Sequence, residues 1–435
     1  MKFQKIWGCK LLRLSKLFVL IILLFVNSAS FAFDGLRTRG FVKQGYIHTS
    51  GNNYLGDTSS GSFDFGEAGL NFFYRPFNKL YLSAQVSSRN VGDHYASEDD
   101  LRLDYGLISF NLAASNNYEA DFRLGRFKYF YGLFNDIQDI PTAVPGVIPA
   151  QAIYFEYFYH ELMLDGVQFN QSWRSPDLGS LRFDIMYGKI VDEKDKESDT
   201  KDMLLDQYNL QPEDVDASID SMDGLGGIRI EYLTPDNSFL LSYSHLISDG
   251  VQSIRATNAG WPASMLWSYH EVGDQIIDIL SVEYVADKWT LTAEYGSRHQ
   301  FGFKRFYNYV QDGYLEYDFD NRSEAYYVQY RYQLSPKFEP LIRYEAYYFD
   351  KDDRDGSSYH NVAAGLKDYY FFSKAYVIGG TYQLTDKFSL KSEFHIFDGA
   401  ALNYAAGAIG DKNNRIEDGY DRYWNMFLLE LTYAF

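Results

Sequence analysis

Charged residues gather at a few places in this sequence where they could act together. Arg123, Arg126 and Lys128 close one alternating segment, and Asp136, Asp139 and Glu156 follow in the irregular stretch after it. Arg182, Arg331 and Arg343 lie in later alternating segments, with Asp184 and Glu345 on the same faces as Arg182 and Arg343. Opposed rows of acid and base across a water-filled gap set ion preference and orient polar solutes. That is the chemistry this set could do, and an equally simple job for Arg126 or Lys128 is to tether the stretch that follows.

Other chemistries find no support. The eight histidines, at 48, 94, 160, 245, 270, 299, 360 and 395, have no His-x-x-x-His spacing, and no cysteine stands near them to complete a zinc site. Ser244 and His245 are a conceivable fragment of a hydrolase, but neighbours in a strand point to opposite sides. The loop with Asp350, Asp352, Asp353, Asp355 and Gly356 fails the calcium-loop pattern, since with Gly356 in the sixth place the first is Lys351 and the twelfth Val362. No catalytic residue, no metal and no cofactor is expected.

The first residues explain how the chain travels. Lys2, Lys5, Lys10, Arg13 and Lys16 precede the apolar run Leu17 to Val26, and Ser30-Phe31-Ala32 supplies small residues before a cut at Phe33. This is the pattern of a secretory signal peptide over 1–32, with 33–435 as the exported domain. Cys9, the only cysteine, lies in the leader. Removing those five basic residues from 40 leaves 35 against 59 acids, a balance of −24 that disfavours nucleic acid as a partner. Aromatic residues make up 18%, with 39 Tyr and 34 Phe, far from the composition of a disordered chain.

Read with a period of two, the exported chain resolves into sixteen segments near 36–48, 62–74, 80–91, 101–113, 118–126, 163–172, 180–190, 226–233, 238–248, 275–286, 289–300, 324–334, 338–348, 374–384, 388–397 and 424–435. About ten residues is what a tilted strand needs to cross the hydrocarbon layer. The connections alternate between short and long, as tight turns on one side of a membrane and extended loops on the other would. The faces differ as well. Phe427, Leu429, Leu431, Tyr433 and Phe435 oppose Met426, Leu428, Glu430 and Thr432; Phe388, Leu390, Phe394 and Ile396 oppose Lys391, Glu393 and His395. A lipid-facing Arg or Lys costs roughly 2–4 kcal/mol at the midplane, so the charged face must look into a wet interior. The expectation is an all-β fold, a 16-stranded antiparallel transmembrane β-barrel with short periplasmic turns and long extracellular loops.

Over the whole exported chain this arrangement resembles the Gram-negative outer-membrane porin superfamily. The final Phe435 behind alternating apolar residues resembles the C-terminal signature of outer-membrane barrels, and Gly125-Arg126 with Lys128 and then Tyr131-Gly132-Leu133 is similar to a stretch of the phosphate-selective porin O and P type. The resemblance implies that the third long loop, 127–162, folds inward and narrows the lumen, placing Arg123, Arg126, Lys128, Asp136, Asp139, Glu156, Arg182, Arg331 and Arg343 along the pore. It also implies a passive channel for small hydrophilic solutes or ions, built as a homotrimer among outer-membrane lipid and lipopolysaccharide. The acidic total leans toward cations, and most of that charge lies in the loops. The competing reading is a barrel that binds ligands or surfaces through those acidic loops.

Overall fold

The computed structural model describes residues 35–91, 98–137, 140, 143–154, 163–191, 224–256, 267–308, 313–358, 366–403 and 419–435; the expected leader lies outside them. Sixteen strands follow one another. The first eight are β1 (Leu36–Ser50), β2 (Phe65–Phe77), β3 (Leu80–Val91), β4 (Glu98–Ala114), β5 (Tyr118–Lys128), β6 (Met163–Ser175), β7 (Gly179–Ile190) and β8 (Gly224–Leu233). The second eight are β9 (Phe239–Ala256), β10 (Trp267–Val285), β11 (Trp289–Asn308), β12 (Gly313–Tyr332), β13 (Phe338–Tyr348), β14 (Phe372–Gln383), β15 (Phe388–Asp398) and β16 (Tyr423–Ala434). Each pairs antiparallel with its neighbours in sequence, and β1 pairs with β16 from Phe41↔Ala434 to Ser50↔Asn425, so the sheet closes. A closed ring satisfies its backbone without water, which is what lets strands span lipid. No helix among the described residues is long and apolar enough to cross a membrane.

Alternation decides what each face meets. On β16, Trp424, Met426, Leu428, Glu430 and Thr432 are buried on the inner face, and Leu431 faces out. Outward positions elsewhere carry large apolar residues with nothing over them, such as Ile342 at 56% and Ile378 at 60% exposure. So much bare apolar surface suits a lipid-facing band. Its upper limit is drawn where the first outward charges stand, at Asp165, Asp278, Glu324, Lys374 and Asp398.

The four strands β9–β12 depart from expectation. They run 18, 19, 20 and 20 residues, against 11 to 12 in β13–β16. Residues counted as loop after 248 and after 300 continue the ladder to Trp267↔Ala256 and Asn308↔Gly313. Beyond the lipid band both faces of a sheet meet water, so no oily-polar alternation is required there. The pairing persists without the pattern that would have announced it.

Candidate functional site

The chain leaving β5 turns into the barrel. Tyr129, Phe130 and Tyr131 are buried with Phe134, Tyr154 and Leu164, which packs the base of this inner loop. The loop then lies along the inner wall of β11–β15, and wall carboxylates hold its backbone. Glu294 on β11, itself buried, accepts hydrogen bonds from the Leu133 N–H (2.8 Å), the Tyr154 hydroxyl (2.6 Å), the Tyr327 hydroxyl (2.8 Å) and the Ser281 hydroxyl (2.6 Å). Burial, and then the neighbouring Glu294, push the Tyr154 phenol well above its usual range, so it stays a donor. Gly132, at φ 61°, permits this approach: a Cβ there would overlap the Tyr154 hydroxyl and lie 2.6 Å from Glu294 Oε1.

The far end of the loop is held the same way. The Ile148 N–H donates to Glu393 (3.3 Å) and the Ala152 N–H to Glu345 (3.3 Å). Lys391 donates to the carbonyls of Val144 (2.7 Å) and Gly146 (3.1 Å), and the Thr381 hydroxyl to that of Pro145 (3.2 Å). The Tyr54 hydroxyl, from the segment after β1, donates to Gln151 (2.6 Å). Hydrogen bonds from β11, β13, β14 and β15 fix the loop against one half of the ring.

The other half stays open. A cavity of about 910 Å³ lies between the loop and β1–β7, lined among others by Arg37, Arg39, Asn71, Gln85, Tyr105, Glu119, Asp121, Arg123, Lys128, Asp136, Gln168 and Arg182. A charged network runs along the wall beside it. Arg123 Nε donates to the Asn170 amide oxygen (3.1 Å) in the amide orientation that also lets Asn170 donate to Asp184 (2.8 Å). Asp184 accepts from Arg182 (2.9 Å) and from Arg229 (2.9 Å), and Arg229 reaches Asp136 of the loop at 3.2 Å. Arg229 also stacks over Phe130, 5.2 Å from its centroid.

The predicted set therefore divides. Arg123, Lys128, Asp136 and Arg182 border the cavity, with Lys128 paired to Asp104 at 3.1 Å. Arg331 sits elsewhere on the wall between Glu283 (3.7 Å) and Glu339 (3.2 Å). Arg343 is a correction: with 1% of its side chain exposed it lies beneath the loop, donating to the Ile148 carbonyl (3.4 Å), Gln329 (3.2 Å) and Glu393 (3.4 Å). Arg126 is a second: it pairs on the outer face with Asp165, two bonds of 2.9 Å each. Arg123 and Arg126, three apart on one strand, fall on opposite faces. Asp139 and Glu156 lie outside the described residues.

Sequence reasoning missed Arg37, Arg39, Glu119, Asp121 and Arg229 on the wall, although parity marks them: 37 and 39, 119, 121 and 123, and 229 each share the inner face of their strand. It also missed Glu294 as the loop's main anchor, because that role depends on residues 133 and 154, far away in sequence. Among the described residues no group of acids and histidines is placed to hold a metal.

Sixteen strands, a closed ring and an inner loop on the wall fix the architecture. The fold is that of the outer-membrane porins. The porin likeness spans nearly the whole chain at low identity. OmpT of Vibrio cholerae superposes with a TM-score of 0.53 at 11% identity, over 92% of this chain and 97% of that one. OmpF of Salmonella typhi, in complex with daunomycin, gives 0.51 at 14%, over 92% and 97%. An anion-selective porin from Comamonas acidovorans gives 0.50 at 10%, over 92% and 99%. No family model and no curated protein matches the sequence.

Proposed function

We propose that this chain is a diffusion channel of the Gram-negative outer membrane that passes small hydrophilic solutes and prefers anions. The carrying observation is the sign of the open passage. Its lining includes five cations, Arg37, Arg39, Arg123, Lys128 and Arg182, against three carboxylates, Glu119, Asp121 and Asp136, in a chain whose formal net charge is −19. Of the other inner-wall carboxylates, Glu294, Glu345 and Glu393 are buried against the loop, and Glu283 and Glu339 are paired with Arg331. Acid on the external loops acts weakly at this distance, since the Debye length is about 8 Å at physiological salt. Preference therefore follows the passage rather than the acidic total, and the anion selectivity named for the Comamonas acidovorans neighbour agrees in direction.

A homotrimer belongs to this reading. Outward positions on β2 and β3 carry small residues, Ala68 and Ala84, which suit flat packing against another barrel. Purified protein in a planar bilayer is expected to give stepwise conductance that closes in three equal steps, with a reversal potential under a salt gradient of the sign set by anions. A bilayer without steps sinks the channel, and a cation-signed potential sinks the preference.

A further inference from the structure

We infer that the open edge of β12, beyond the lipid band, is a docking strand for an extended basic segment of another protein. This goes beyond the channel reading and stands or falls without it. β12 stays paired with β11 as far as Asn308↔Gly313, whereas its pairing with β13 begins only at Glu324↔Tyr348. The last bond from the β13 side runs from the Lys351 N–H to the Arg322 carbonyl at 2.7 Å, and Arg354 pairs there with Glu324. Above Arg322 no described residue pairs with that side of β12. Which backbone groups are left bare follows from the pleat, since the N–H and C=O of one residue point to the same neighbouring strand and those of the next residue to the other. Arg322 points away from β11, while Gln333, of opposite parity, donates to the Lys288 carbonyl beside β11 at 2.7 Å. Glu316, Asp318 and Asp320 therefore hold out their N–H and C=O groups at the bare edge.

The same three residues are exposed, with their side chains on the outer face. Arg305 holds Glu316 at 2.6 Å, and His299 (2.9 Å) and Arg322 (3.6 Å) stand by Asp320. Asp318 has Phe303 as its partner across the ladder and no base within 4.0 Å among the described residues. On the inner face Phe319 lies across Gly302 toward Gly273, where a Cβ would come 2.7 Å from its ring, so the strand is backed by packing. Bare edges are ordinarily blunted by Lys, by Pro or by a bulge. Gly313 to Ser323 contains neither Lys nor Pro, and its register with β11 is unbroken. A rise of about 3.4 Å per residue carries Glu316 roughly 27 Å along the strand from Glu324, clear of lipid headgroups. A second copy of this edge would set acid against acid, which is destabilising, so the fitting partner is a strand with Lys or Arg at every second position. Strand addition of this kind draws affinity from main-chain bonds and specificity from alternate side chains.

The test uses the full chain in detergent and a short labelled peptide of alternating Thr and Lys, with binding read by fluorescence anisotropy. The parent is expected to bind the peptide, and Asp318→Lys to weaken binding about fivefold or more. Asp318→Pro removes an edge N–H without touching a bond to β11, which an edge strand tolerates, and should weaken binding at least as much while keeping the parent's unfolding midpoint. Methylating the backbone nitrogens of the peptide's lysines keeps its charge but blocks its bonds to the edge, and should abolish binding. The inference is overturned if the parent binds no peptide, which would leave the acids as a guard against stray strands. It is equally overturned if the methylated peptide binds as well as the plain one, which would make the contact one of charge alone, or if both Asp318 variants bind as the parent does.

Discussion

The inner wall has two halves built from the same residue types. Along β11–β15, Glu294, Glu345, Glu393, Arg343 and Lys391 are buried and spent on the inner loop. Along β1–β7, Arg37, Arg39, Arg123, Arg182, Glu119 and Asp121 face the open cavity. What separates the halves is where the loop lies, since inward position and charge are common to both. A buried charge with one partner removed is costly, whereas a solvated one acts mainly through its field.

Arginine tests this contrast because it occurs in both halves. Arg343→Ala should have the largest effect. It leaves Glu345 and Glu393 without their cation, and breaking a buried pair by deleting one partner costs roughly 3–5 kcal/mol. The urea midpoint should fall and single-channel noise should rise as the loop loosens; an unchanged midpoint would remove Arg343 from the seat. Arg123→Gln with Arg182→Gln should be close to neutral in stability yet shift the reversal potential toward cations, because it removes two of the five lining cations. If that pair destabilised the barrel as much as Arg343→Ala, the two halves would not differ.

A group outside both halves sets the lower end of the scale. Asp236, in the turn between β8 and β9, is held down to about 2 by hydrogen bonds from the Thr234 hydroxyl and from Ser238. A depressed carboxylate contributes stability in full above its ordinary value and loses it as pH falls through about 2. Asp236→Asn should therefore differ from the parent slightly at pH 5 and converge with it near pH 2, read as unfolding midpoints. A gap that widened on acidification would refute the assignment.

Much of the ring was legible because lipid and water impose opposite demands on alternate residues. Met426, Glu430, Lys391 and Glu393 read as inward and are inward. The extensions of β9–β12 were not legible, since above the membrane no such demand is made. Arg126 could have been excluded from the lumen by counting from Arg123, and Arg37 and Arg39 included by the same count. Arg343 and Glu294 could not have been divided from the open wall that way. Their roles depend on where residues 129–154 come to rest, a long-range contact that local periodicity does not encode.

The seam between β1 and β16 joins positions nearly the whole chain apart, such as Phe41 and Ala434. Until those two strands meet, the sheet has two bare edges, each offering unpaired N–H and C=O groups to any other chain. Synthesis must therefore deliver almost the entire polypeptide before the ring can lock. Throughout that interval the danger is self-association, and an escort that masks free edges would matter more than one that shields oily surface.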